Sequence, residues 1–131
     1  MSGTVTPFLM FEGQAEDAMT FYTSLFEDSA ITAIERYGPD GPGPEGSVVK
    51  ATFTLNGREH YCIDSPAPHA FAFTPSISLF VDCTGEAEIE RLFAALSRDG
   101  EILMPMDTYP FARKFAWISD RFGVSWQLSL V

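Results

Sequence analysis

The sequence predicts an α+β domain built from two βαβββ modules, and three observations predict it. Runs of four to nine residues with strand-like alternation recur along the chain, separated by turn residues. Two amphipathic segments interrupt them, one near the start and one about 70 residues later. The stretch LMFEGQAEDAMTFYTSLF aligns with LFVDCTGEAEIERLFAAL at an offset of 70, with one extra residue in the second copy, placing Glu12 on Asp82 and Leu25 on Leu96. The 131 residues are expected to form a single domain, with the first module at about 4–64 and the second at about 75–130.

Residues 4–11 read as the first strand and 14–26 as the first helix, with Ala15, Ala18, Tyr22 and Leu25 on one face. Glu16 and Asp17 fall in its first turn, where the helix dipole favours negative charge. Strands are expected near 29–37, 47–55 and 58–63. Pro and Gly make 38–46 a long hairpin loop, and Asn56-Gly57 is a two-residue hairpin signal. Residues 64–75 are an irregular connection. The second module then has a strand at 76–82 and a helix at 85–98 that buries Ile89, Leu92, Phe93 and Leu96. Gly100 is placed to end that helix. Strands follow at 101–105, 113–119 and 124–130, with the loop 105–112 after the first and a turn at 120–123 before the last. The loops 38–46 and 105–112 are candidates for a mobile lid.

Composition narrows the function. The formal net charge of −10 repels phosphate backbones and anionic bilayers, so neither nucleic acid nor a membrane surface is an expected partner. No stretch approaches the roughly 20 apolar residues of a membrane span. No basic segment followed by an apolar run opens the sequence, so a cytoplasmic location is expected. Cys62 and Cys83 form no CxxC or metal-like cluster and are expected to be free, buried thiols. No Walker loop is present.

Four stretches are specific: TPFLMFEGQAEDAMTFYTSLF at 6–26, RYGPDGPGPEGSVVKATFTL at 36–55, FTPSISLFVDC at 73–83 and WISDRFGVSWQLSL at 117–130. Together they resemble the 3-demethylubiquinone-9 3-methyltransferase-like (PhnB-like) family of the glyoxalase/bleomycin-resistance/dioxygenase (vicinal oxygen chelate) superfamily. The resemblance implies the paired βαβββ fold, sheets curved around clefts that bind small ligands, and a homodimer. It also implies a divalent metal in those relatives that use one, held by side chains from corresponding strands. Here Thr6–Met10 and Ser76–Phe80 carry no such ligand, and the last strand offers the neutral Gln127 where metal-binding relatives place a Glu. Only Glu59, His60 and Cys62 cluster as alternatives, so no metal and no other cofactor is expected. Methyl transfer has little support in the residues, because no Gly-x-Gly turn follows a strand.

The remaining candidates are cleft residues on strands. Gln127 shares a face with Ser125 and Ser129, so Trp126 and Leu128 should pack under the helices, while Trp117 faces either way. Phe8, Met10, Phe53, His60 and Cys62 are the cleft candidates of the first module, and Ser78, Tyr109, Arg113, Trp117 and Gln127 those of the second. Arg113 and Lys114 form the one adjacent basic pair. His69 with Ser65 and Asp64 holds the ingredients of a nucleophilic triad, crowded into one loop with nothing to order them. Three functions follow. The first is metal-free binding of a hydrophobic or aromatic small molecule. The second is a glyoxalase-type metal-dependent lyase or dioxygenase centred on Glu59, His60 and Cys62. The third is the methyltransferase of the family name.

Overall fold

The computed structural model describes residues 3–131, which divide after His69 into two compact units. In the first, strand β1 (Phe8–Phe11) leads to helix α1 (Ala15–Thr23), then β2 (Ala30–Arg36), β3 (Val48–Leu55) and β4 (Arg58–Asp64). In the second, β5 (Leu79–Asp82) leads to α2 (Glu86–Ser97), then β6 (Glu101–Tyr109), β7 (Ala112–Ser119) and β8 (Ser125–Leu130). The sheet orders are β1-β4-β3-β2 and β5-β8-β7-β6. The repeat therefore extends to topology: each module's first strand runs parallel to its fourth, and the other pairings are antiparallel.

Each sheet buries one face under its own helix. Helix α1 inserts Ala15, Ala18, Met19 and Tyr22, all fully buried, and the Tyr22 ring meets Phe53 of β3. Helix α2 inserts Ile89, Leu92 and Leu96 over Ala116, Ile118, Trp126 and Leu128. The i, i+3, i+7 spacing of these residues makes the apolar stripe that the sheet accepts.

Turn chemistry explains the joints. Asn56 and Gly57 adopt φ values of 52° and 76°, as a hairpin turn of this length demands. The end of α2 differs from expectation. Asp99, with φ 59°, takes the left-handed position, and Gly100 is required for another reason: a Cβ there would overlap the carbonyl oxygen of Ser119. The segment 105–112 is no loop. Strand β6 continues through Pro105 to Tyr109, and only a tight turn separates it from β7. Register shifts along β6 and its place at the sheet edge make the proline tolerable. The 38–46 segment is a loop, held at its base by Tyr37: the backbone N–H of Tyr37 donates to Ser47, that of Gly46 donates to Tyr37, and Gly43 lies against the ring. Among the described residues no helix is long and apolar enough to cross a membrane.

Candidate functional site

Strand pairing fixes which side chains share a face. On β4, His60 and Cys62 pair with Phe53 and Ala51, all buried on the side covered by α1. Tyr61 and Ile63 point to the opposite side, together with Phe8 and Met10 of β1. Phe53, His60 and Cys62 therefore lie in the core beneath α1 rather than on the helix-free face. Phe8 and Met10 do lie on that face. There Phe8 meets Tyr61 edge-on, and the Lys50 ammonium sits 4.3 Å from the Tyr61 ring centroid.

The residues proposed as an alternative metal set are split by this geometry. Glu59 pairs with Thr54 on the helix-free side, whereas His60 and Cys62 are under the helix. Burial pushes the Cys62 thiol up to about 12, helped by the nearby Asp64 charge. Burial, then the Glu88 charge, pushes Cys83 up to about 11. Both remain protonated thiols at neutral pH, which are poor ligands and nucleophiles. Among the described residues no three His, Cys, Asp or Glu side chains converge on a point.

His60 stacks on Phe53 at 5.2 Å, and its Nδ1 lies 3.0 Å from the Arg58 carbonyl oxygen, so Nδ1 carries the proton and donates. Burial lowers its pKa, against a smaller opposing effect of that bond. The unfolded chain therefore takes up the proton first as pH falls. Stability is fully present above the ordinary histidine range and is lost as pH drops through about 6.5 toward the lower folded value. Urea midpoints measured at pH 7.5 and 5 should fall for the wild type, and His60→Leu should reduce that fall. An unchanged pH slope in the variant would show that His60 contributes nothing to it.

The triad ingredients form one contact, with Ser65 Oγ 2.8 Å from His69 Nε2. Asp64 does not orient that histidine. Its carboxylate is buried and accepts the backbone N–H groups of Gly13, Ala15 and Val48 at 2.8, 2.9 and 3.0 Å.

On the second sheet the helix-free face gathers three of the sequence candidates. Trp117 pairs with Gln127, and Gln127 pairs with Phe80, which is 54% exposed. The amide of Gln127 thus sits between two aromatic side chains on neighbouring strands. The Trp117 indole N–H donates to Ser125 Oγ at 2.8 Å, Ser125 Oγ lies 2.7 Å from Ser78 Oγ, and Gln127 Nε2 donates to Ser78 Oγ at 3.3 Å. Four side chains from β7, β8 and the entry to β5 form one hydrogen-bonded chain. Its donors and acceptors are neutral hydroxyl, amide and indole groups, without the carboxylates and imidazoles that hold a divalent cation, so the set does not fit one.

Tyr109 and Arg113 stand apart from this chain. Tyr109 donates its hydroxyl to the Pro105 carbonyl, stacks on Phe111 and meets Phe115 edge-on at the β6–β7 turn. Arg113 is exposed on β7, four residues from Trp117. Ser125 and Phe80 were not among the sequence candidates. Alternation with Gln127 gives Ser125 its face, and that is the sequence signal for it.

The specific C-terminal motif has a structural component. Asp120, buried, accepts the backbone N–H groups of Phe122 and Val124 and the indole N–H of Trp126, at 2.8, 3.0 and 2.8 Å. Gly123, with φ 91°, closes the turn. Trp126 and Leu128 pack inward beneath α2, as the alternation predicts.

The family model for 3-demethylubiquinone-9 3-methyltransferase matches residues 3–129. The chain belongs to this family. A solved structure of the family's PhnB protein from Bacillus cereus is 57% identical to this chain. It superposes with a TM-score of 0.96, over 98% of this chain and all of that one. Protein YjdN of Escherichia coli is 24% identical across 97% of this chain and 95% of its own length. The fosfomycin resistance protein FosX from Listeria monocytogenes shares the fold alone, at 10% identity and a TM-score of 0.61, covering all of this chain and 94% of its own. The family match and the Bacillus cereus relative make this a PhnB-like chain of the vicinal oxygen chelate superfamily, with the glyoxalase/bleomycin-resistance fold.

Proposed function

We propose that this PhnB-like chain binds a small hydrophobic or aromatic molecule without a metal, on the helix-free face of its second sheet. The observation that carries the reading is the chain Trp117–Ser125–Ser78–Gln127, a fixed polar group set among aromatic side chains. Small-molecule sites combine an apolar surface with a few oriented polar atoms in this way. The neutral Gln127, and the separation of Glu59 from His60 and Cys62, support binding without a cation. Methyl transfer draws no support from the strand-to-helix connections. Each contains one glycine, Gly13 or Gly85, rather than a Gly-rich cofactor turn. A homodimer and a cytoplasmic location belong to the same reading. Exposed Phe8, Ile102 and Phe111 supply apolar surface for a second copy, and light scattering on the eluting protein tests that.

Tryptophan fluorescence tests the site. Trp126 is buried and hydrogen-bonded, so saturable quenching by quinoline, indole or 2-naphthol should report on Trp117. Quenching is expected in the wild type and should fall at least tenfold in Trp117→Phe. Absence of saturable quenching by all three would remove the reading. Elemental analysis after incubation with Ni²⁺, Zn²⁺, Mn²⁺ and Fe²⁺ should find well under one metal per chain. One tight metal per chain would overturn its metal-free part and make lyase and dioxygenase assays the next step.

A further inference from the structure

Resting on that reading, we infer that the site selects a neutral planar ligand carrying an adjacent hydrogen-bond acceptor and donor, the edge of a lactam or carboxamide. The argument is proton accounting along the chain. Ser125 is 2% exposed, and its oxygen already accepts the Trp117 N–H. Its own proton has Ser78 Oγ as partner, at 2.7 Å. The reverse arrangement would leave a buried hydroxyl proton unpaired, a costly outcome. So Ser125 donates to Ser78, and Ser78 also accepts from Gln127 Nε2. The oxygen of Ser78 is then saturated, and its proton is the one left to give.

Gln127 has the opposite deficit. Its Nε2 is committed to Ser78, and its carbonyl oxygen accepts no hydrogen bond among the described residues. Ser78 and Gln127 are both only partly buried. The chain thus presents one donor beside one acceptor, each fixed by the other members. A lactam or carboxamide edge answers both at once, its C=O accepting from Ser78 and its N–H donating to Gln127.

The surroundings favour a flat and uncharged partner. Phe80 and Trp117 flank Gln127 from the strands on either side, about 10 Å apart across two strand spacings. A carboxylate would bring an anion to the Gln127 carbonyl oxygen with no proton between them. Asp82, on β5 two residues beyond Phe80, adds a negative charge on the same face. Arg113, an exposed cation, lies about 13 Å along β7 from Trp117.

The test compares four ring-matched probes by fluorescence and calorimetry: 2-quinolone, N-methyl-2-quinolone, quinoline and quinaldate. The first should bind at least tenfold more tightly than each of the others. Ser78→Ala and, independently, Gln127→Leu should collapse the ratio of 2-quinolone to quinoline toward one. This ratio does not move if a variant is merely less stable, and either variant suffices if the other fails to fold. Equal binding of all four would overturn this inference while leaving aromatic binding intact, and so would tightest binding by quinaldate. Binding by none of them would remove both.

Discussion

Replacing Asp120 with alanine should cost about 3–5 kcal/mol of stability and lower the melting temperature by more than 10 °C. The side chain is 4% exposed, and its two oxygens accept three N–H groups: those of Phe122, Val124 and the Trp126 indole. Alanine removes the carboxylate that accepts the buried Val124 amide and the buried Trp126 indole N–H. Each orphaned buried donor costs roughly 1–3 kcal/mol, against a total stability of about 5–15 kcal/mol. The turn before β8 also loses its organising bonds, so Ser125 and Gln127 should shift and ligand quenching of Trp117 should weaken with stability. Asp120→Asn keeps one acceptor oxygen and should lie between. Alanine at the exposed Asp40 is the control and should change little. Thermal melts followed by circular dichroism decide it, and a melting temperature within 3 °C of wild type would refute the role.

The order of elements was legible because its signals are local. Apolar residues at helical spacing, Asn56-Gly57, and the Pro/Gly run at 38–46 each act within a few residues. Element ends that depend on a distant partner were not. Pairing of β1 with β4 starts at Phe8 and Val5 is fully exposed, so the strand begins later than the residue 4 that the sequence suggests. Strand β6 runs on past Pro105 because an edge strand with irregular register accommodates what a central strand would not.

The site divides along the same line. Alternation on β8 put Gln127 opposite Trp126, since Trp and Leu on one side and Ser and Gln on the other leave no ambiguity. Strand β4 offers no such contrast. Its two faces read His60, Cys62, Asp64 and Glu59, Tyr61, Ile63, so hydrophobicity does not choose between them, and a one-residue slip would exchange the faces. Buried Asp64 settles the choice in the structure, through contacts 16 to 51 residues away that no local pattern encodes.

Those contacts make Asp64→Ala the second large effect, of about 3–5 kcal/mol. One carboxylate joins three segments of the first unit. Its Oδ1 accepts from Gly13 and Ala15 at the start of α1, and its Oδ2 from Val48 at the start of β3. Gln14, the residue before the helix, makes no side-chain cap of its own, so the N–H groups at that end depend on a residue from β4. A negative charge beside a helix N-terminus adds a favourable interaction with its dipole. Alanine removes all of this and leaves the buried Ala15 and Val48 amides unpaired. Asn at this position would keep Oδ1 but turn an amide N–H toward that of Val48, donor against donor, and should recover only part of the loss. Amide hydrogen exchange gives the sharpest reading: Ala15 and Val48 should lose protection together in Asp64→Ala, beyond the general drop in stability. If the amides of α1 and β3 respond separately, or keep wild-type protection, the carboxylate is not what holds the start of the helix to the sheet.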